Sequence, residues 1–563
     1  MPRSTLSEAR VRAIAGLPDG PVDWAARLFP TKAEFAELRA PDELVVECTP
    51  DRLDLLCDSG LGAALAGASG RSMGGIELFR GPPRRIGRIH VDPSVSPVRP
   101  EIAAVELSAP PGAPLDLGLL SEAIRLQELL HATIGLDRRL ASFGLYALDR
   151  LRGPLRYGAR PAASLRFTPL DAVAPTDGEQ FLREHPMALR YGALGATSQG
   201  PLVLEDADAS VLSLPPILNA EGPGSVRPGD SGILLESTGL RRARVADGVG
   251  LLMLPFVAAG WKVSAVPIDR PTGEDPGEGI LQSRPIHLSA ARLAEVSGLA
   301  LTSSEVVEEL SKARLPIRAI PGGWEVFAPP WRPDLLQEVD LIEEAILARG
   351  VRIEDGIVPP SSTRGRRRAE TRFREAIGEV LLGGGCIPLH TPVLIPIGRN
   401  DAVGRKDALR LSNPVSEELG VLRDRLLPSL LGALGHNVRH GYPQSLSEVA
   451  PTIAPDPSAE SGGRTVWRAG FVLAGEGCGF ADAAARVDAI LRAFGAMGVR
   501  EPVEIPGIIP GRGAILRVAG ETVAELGEIH PALLDAERVP VPVAYGEIDL
   551  SALWPLVRAA ESD

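Results

Sequence analysis

The stretch richest in groups able to do chemistry is WRPDLLQEVDLIEEAILARG, Trp331 to Gly350. Asp334 followed by Gln337 has the spacing of a capping box, and Gly350 can close the helix in left-handed backbone. Inside that helix Asp340, Glu343 and Glu344 stand at i, i+3 and i+4. The spacing predicts three carboxylates on one face, opposite Leu341, Ile342, Ala345 and Ile346. Like charges this close repel. A solvated acidic face behind an ordinary N-cap tolerates that repulsion, and a hard divalent cation such as magnesium relieves it. Spacing alone leaves both open.

Other candidate motifs are weaker. GEGCG, Gly475 to Gly479, lacks the Lys-Ser/Thr of a P-loop and the spacing of a dinucleotide fingerprint, so it predicts a tight turn. GGGC, Gly383 to Cys386, predicts a helix stop. The eight histidines show no HExxH spacing, and GxSxG is absent. His131 falls on an apolar helical stripe and reads as a satisfied core histidine. The cluster Arg364, Arg366, Arg367, Arg368, Arg372 and Arg374 fits either an RNA-backbone contact or a solvated connector.

These groups need elements to position them. Residues 1–88 read as a small α/β unit with a strand at Leu44 to Cys48, ending in the Gly/Pro-rich GPPRRIG. Residues 89–275 begin with the strand-like EIAAVEL. An amphipathic helix follows over 119–134, its stripe formed by Leu119, Leu120, Ile124, Leu126, Leu130 and Ile134, with Gln127 and His131 inside it. A second helix is expected near 246–259, then the strand WKVSAVPI, and DRPTGEDPGEG reads as a linker or an exposed loop. Residues 280–355 predict helix, helix, strand, helix. Residues 363–563 mix helices, such as 418–438, with β-like pieces such as ILRVAGETVAELGEI.

The chain is 44% hydrophobic and 23% charged, as in a globular multidomain protein, with a net charge of −13. That balance argues against nonspecific coating of nucleic acid. Only four lysines are present, so the basic residues are overwhelmingly arginine. The four cysteines form no CxxC pair, which fits a reducing compartment. No apolar run is long enough for a membrane helix, and no signal-peptide pattern opens the sequence, so a cytoplasmic location without membrane contact is expected.

Read in order, the segments resemble the β subunit of phenylalanyl-tRNA synthetase in its shorter archaeal and eukaryotic form. TPDRLDLLCDSGLGAALAGA, Thr49 to Ala68, is similar to the family's N-R-P-D-L-L-S pattern, with Asp51, Leu53 and Asp58 departing from it. Ile124 to Leu151, LSLPPILNAE (Leu212 to Glu221), Trp331 to Gly350, Asn413 to Leu431, His440 to Val449 and ELGEIHPALL follow in the family's order.

The resemblance implies an α+β multidomain fold. Its parts would be an N-terminal domain (1–88), an editing-type domain (89–275), a winged-helix-like helical domain (280–355), and a class II synthetase-like antiparallel-sheet module without an active site (363–563). It also implies a role supporting ATP-dependent attachment of phenylalanine to its tRNA. ATP would be bound by a separate α subunit in an α2β2 tetramer. Asp334, Asp340, Glu343 and Glu344 fall on the family's magnesium positions. The editing candidates are Asn219, Glu221, Glu236 and Thr238, in a site that hydrolyses mischarged tyrosyl-tRNA. Ala220, Glu236 and Leu240 replace the family's usual residues there. The alternative is a diverged paralogue acting as a freestanding deacylase or a noncatalytic nucleic-acid-binding protein.

Overall fold

The computed structural model describes residues 2–72, 74–76, 85–350, 358 and 360–560. The expected boundaries at GPPRRIG and at 351–355 lie partly or wholly outside these residues. The chain forms two compact units, Met1–Ile357 and Val358–Asp563. No helix among the described residues is long and apolar enough to cross a membrane.

The first unit opens with a three-stranded antiparallel sheet of Arg3–Ser7, Glu43–Cys48 and Ala33–Arg39, with Glu43–Cys48 in the middle. The helices Glu8–Ala15 and Asp58–Ala68 belong to the same part of the chain. Residues 1–88 do not close a core of their own. Leu6, Leu44 and Leu61 share one apolar cluster with Leu126, Phe143, Phe256 and Trp261. A second tie is polar: buried Glu122 accepts from Ser59 N–H at 2.6 Å and from Arg10 at 2.8 Å.

The middle of the unit is built around a four-stranded sheet in the order Lys262–Ala265, Glu101–Ser108, Gly232–Gly239, Ala141–Ala147. Strand alternation sorts its side chains. Val105, Phe143, Ile233 and Leu235 pack with the helices Leu117–Ala132 and Arg242–Leu252. Ile102, Ala104, Tyr146 and Leu234 meet Ile89, Tyr157 and Leu204 of a second, larger sheet. Both expected helices are present with shifted bounds. The second breaks at Met253, and Pro255 starts the short helix Leu254–Ala258. The expected linker DRPTGEDPGEG is a correction: Ile268–Arg270 and Gly273–Asp275 pair as a hairpin at the edge of the larger sheet. Acid- and Gly-rich sequence here marks a turn between strands, not a break in structure.

Residues 284–349 add strands that helical periodicity hid. Arg284–Ser289, Gly323–Ala328 and Ile317–Ile320 form an antiparallel sheet packed with Ala290–Ser297, Ser303–Lys312 and Glu338–Arg349. The second unit carries a seven-stranded sheet in which long hairpins dominate: Gln444–Pro455 with Gly463–Ala474, and Ile508–Val518 with Glu521–Ile529. The expected helix over 418–438 is shorter, Leu427–His436, preceded by the two-residue strand Val421–Leu422.

Two helix glycines should respond oppositely to Gly→Ala. A Cβ at Gly248 would lie 2.6 Å from Phe143 Cζ, whereas one at Gly378 meets only Val449 Cγ2 at 3.9 Å. Thermal unfolding should show Gly248→Ala destabilised by about 1–2 kcal/mol despite its better helix propensity, and Gly378→Ala stabilised by up to about 1 kcal/mol.

Candidate functional site

A cavity of about 500 Å³ opens in the first unit where the four-stranded sheet, the helix Leu117–Ala132 and the 213–227 segment meet. Glu236 is at its floor, on the central strand Gly232–Gly239, and is 2% exposed. Tyr146 Oη, one strand over, donates to Glu236 Oε1 at 2.9 Å and lies 2.9 Å from Ser213 Oγ. Glu236 Oε2 is buried and has no hydrogen-bond partner among the described residues. Burial lifts its carboxyl from the ordinary 4.5 to about 7, outweighing the Tyr146 hydrogen bond and the positive charge of Arg99. Gly144 pairs with Glu236 in register. A Cβ there would come 2.7 Å from Glu236 Oε1 and also run into Tyr146 Oη. The carboxylate therefore fits because its neighbour has no side chain.

The structure divides the four editing candidates. Asn219, Glu221 and Glu236 line the cavity. Asn219 Nδ2 donates to the carbonyls of Leu145 and Gly224 at 3.1 and 3.0 Å, fastening the loop to the sheet. Glu221 sits toward the exposed side, accepting from Arg227 at 2.6 Å and from Asp171 N–H at 3.3 Å. The Arg227 hydrogen bond and then the Asp171 N–H hold its carboxyl below the ordinary range. Thr238 is a correction in position: it is fully buried and does not line the cavity. Its Oγ1 accepts from Arg99 Nε at 3.2 Å and shares a 3.1 Å hydrogen bond with Ser142 Oγ, which does reach the cavity. Arg99 is wholly buried and also donates to the carbonyls of Arg138 and Thr238.

His131 is satisfied, as its place on an apolar stripe implies. Its Nε2 accepts from Phe143 N–H at 3.0 Å, its Nδ1 lies 3.2 Å from Glu128, and its ring stacks on Phe143. Burial lowers its pKa, so the ring is neutral at pH 7, with Nδ1–H facing the Glu128 carboxylate. Sequence reasoning missed Tyr146, Ser213, Ser142 and Arg99. Only Gln127, a polar residue inside an apolar stripe, left a signal; its amide donates to Phe143 O.

The four carboxylates of the 331–350 segment are not gathered around one point. Asp334 precedes the helix and does not cap it. It takes three hydrogen bonds from Arg332, at 2.9, 3.2 and 2.8 Å. Gln337 is the N-cap, and Asp340 reaches back to the N–H groups of Leu336 and Gln337, both at 2.7 Å. Glu343 is half-exposed and pairs with Lys32 at 2.7 Å. Glu344 is buried with Leu341, Ile342 and Ala345, so the single acidic face expected from i, i+3, i+4 spacing is split. Arg332 donates to Glu344 at 2.9 Å, and Arg52, itself bidentate on Asp54, lies 3.7 Å away. Burial opposes ionisation of Glu344, but Arg332 and Arg52 outweigh it and lower its pKa. Among the described residues no three His, Cys, Asp or Glu side chains converge as a metal site. Within this chain the quartet does not fit a magnesium ion, because guanidiniums, an ammonium and helix-start N–H groups already take its lone pairs.

The chain that carries this sheet, cavity and helical segment is similar to aminoacyl-tRNA synthetase chains. Residues 355–550 match the phenylalanyl tRNA synthetase beta chain CLM domain, and residues 286–351 the tRNA synthetase B5 domain. The phenylalanine–tRNA ligase beta subunit of Pyrococcus horikoshii is 28% identical over 471 residues, spanning 83% of this chain and 84% of that one. That of Natronomonas pharaonis is 28% identical over 98% of this chain and 100% of its own. A crystal structure of an N-terminal fragment of the Pyrococcus horikoshii beta subunit shares the fold, with a TM-score of 0.57 at 23% identity, covering 62% of this chain and all of the fragment. The chain is thus similar to phenylalanine–tRNA ligase beta subunits over most of its length.

Two measurements test these geometries. Because the Glu236 pKa is raised on folding, its contribution to stability is present below about pH 4.5 and lost as pH rises through about 7. Urea unfolding should show Glu236→Gln more stable than wild type at pH 8, by on the order of 3 kcal/mol, with little difference at pH 4. Arg332→Met should destabilise the first unit by about 3–5 kcal/mol by stranding buried Asp334 and Glu344, whereas Glu343→Gln should cost under about 1 kcal/mol.

Proposed function

We propose that this chain is the β subunit of a phenylalanine–tRNA ligase and carries that enzyme's editing centre in the 500 Å³ cavity. An α subunit holds phenylalanine and ATP, and the two assemble as α2β2 in the cytoplasm. In this reading residues 1–88, 89–275, 280–355 and 363–563 are the N-terminal, editing-type, winged-helix-like and class II-like modules. The observation that carries the editing role is the unpartnered Oε2 of Glu236, buried at the cavity floor with a pKa of about 7.

A general base works best when its pKa lies near the operating pH. Glu236 takes the proton of a water as that water attacks the ester carbonyl of a mischarged tyrosyl-tRNA. The C–O bond to the terminal ribose breaks, the ribose oxygen regains a proton, and free tyrosine and intact tRNA leave. Tyr146 fixes the carboxylate through its 2.9 Å hydrogen bond. Arg99 orients Ser142 by donating to its Oγ at 3.1 Å, leaving the Ser142 hydroxyl at the cavity wall as a polar contact for the developing oxyanion.

Transfer RNA also needs phosphate contacts that an acidic chain must concentrate locally. Of the six arginines in the 364–374 segment, Arg374 is spent on Trp467, 3.9 Å from its ring centroid, and on Glu370. Arg364, Arg366, Arg367, Arg368 and Arg372 are exposed, and they are the proposed backbone contacts.

Co-expression with an α partner should give phenylalanylation that neither chain shows alone. In that holoenzyme Glu236→Gln should slow hydrolysis of tyrosyl-tRNA by about a hundredfold while phenylalanylation stays within about twofold. Unchanged hydrolysis removes Glu236 from the chemistry. Deacylation by this chain with no α partner bound would favour a freestanding deacylase. Reversing Arg364, Arg366 and Arg368 together should weaken tRNA binding and reduce the slope of log K against log salt by about 2–3.

A further inference from the structure

The sheet of the second unit has an unusual row. In register, Glu448, Gly470, Glu547 and Glu525 lie side by side across four neighbouring strands. Cross-strand partners share a face, so three carboxylates stand on one face of the sheet, a few ångströms apart along it. Glu448 and Glu547 are each 1% exposed. An apolar row would be the more stable filling of such a position. The charges are held by arginines: Arg423 on Glu448 at 3.1 Å, Arg468 beside Glu547 at 3.4 Å, and Arg425 over the last two carboxylates.

Arg425 differs from the other two. It is mostly buried, and its nearest carboxylate oxygens, Glu525 Oε2 and Glu547 Oε1, are 3.5 and 3.9 Å away. A well-made guanidinium–carboxylate hydrogen bond is about 2.7–2.9 Å. Among the described residues Arg425 donates no hydrogen bond, and Glu525 Oε2 accepts none, its partner oxygen Oε1 taking Tyr545 Oη at 3.1 Å. Both side chains line a cavity of about 210 Å³ with an apolar wall that includes Val403, Val503 and Ile515; Arg405 and Glu504 also line it, but Arg405 is held by Asp424 and Glu504 accepts from Gly511 N–H. A cation and an anion with unspent hydrogen-bonding capacity thus lie side by side against apolar surface.

We propose that this cavity binds a small zwitterion with an apolar side chain, an α-amino acid of the aliphatic or aromatic class. Its carboxylate meets Arg425, its ammonium meets Glu525, and its side chain lies on Val403, Val503 and Ile515. Either ion alone would leave one of the two facing charges unanswered, which makes the preference for a zwitterion a consequence of the lining.

The test is calorimetric titration of the full chain with L-leucine and L-phenylalanine, and with their single-charge analogues, 4-methylpentanoate and 3-methylbutylamine for the first and 3-phenylpropanoate and 2-phenylethylamine for the second. One of the amino acids should bind saturably at one site per chain, and its single-charge analogues at least about tenfold more weakly. Arg425→Met should lose that binding by more than about tenfold, and so should Val503→Trp, which fills the cavity from its half-exposed rim without touching the ion pairs. Glu236→Gln should retain it, since Glu236 belongs to the other cavity. Absence of saturable binding by both amino acids would overturn the proposal. So would binding that survives in Arg425→Met and Val503→Trp, or binding lost only in Glu236→Gln.

Discussion

Burying a carboxylate costs several kcal/mol unless a cation or a proton accompanies it, and much of this chain is arranged around that constraint. Two solutions appear. Glu344 and Asp54 are held ionised by Arg332 and Arg52, and Asp334 is paired with Arg332. Glu236 has a single phenolic donor and keeps its own proton up to about pH 7. The first solution is structural: it ties the turn after Glu43–Cys48 to the helix Glu338–Arg349, so two segments far apart in sequence share one charge balance. The second is chemical, because a carboxyl poised near neutrality can give or take a proton under cellular conditions.

The cavity follows from strand alternation applied twice. On Gly232–Gly239, Ile233 and Leu235 anchor the sheet to its helices, which leaves the opposite face for Leu234 and Glu236. On Ala141–Ala147 the same alternation sends Phe143 and Leu145 one way and Tyr146 the other. Glu236 and Tyr146 meet because both strands keep register for seven residues around them. Behind them Arg99, Ser142 and Thr238 form a buried polar layer whose groups satisfy one another. Cavity lining and rigidity thus fall to different residues: Ser142 reaches the cavity, while Thr238 and Arg99 hold it there.

Period-based reasoning found the elements that pack on one side only. The helix Leu117–Ala132 was legible because its apolar residues recur at 3.6, and the strand Glu43–Cys48 and the paired strands around Ala519–Gly520 because they are short β-branched and apolar runs. It failed where short strands hide between helices, as at Ile317–Ile320, and where a turn-rich run proved to be a hairpin, as at Ile268–Asp275. Site residues divided the same way. Asn219, Glu221 and Glu236 were legible through the family's motif order. Tyr146, Ser213 and Arg99 were not, since each comes from a different element and nothing local marks it. Spacing on one helix predicted Asp340, Glu343 and Glu344 on a single face, but it could not show that Glu344 turns inward, because its counter-charges arrive from Arg52 and Arg332 outside the helix.

Gly144 gives the cavity floor a further property. Its missing Cβ is the space into which the Glu236 carboxylate extends, so two strands share one fixed volume. A shorter acid at 236 would release room for a side chain at 144, and a longer one demands that the room stay empty. The two positions are therefore a single unit of variation. Their identities should change together or not at all among chains that keep this floor, and transplanting one residue without the other would carry the chemistry across but not the space in which it operates.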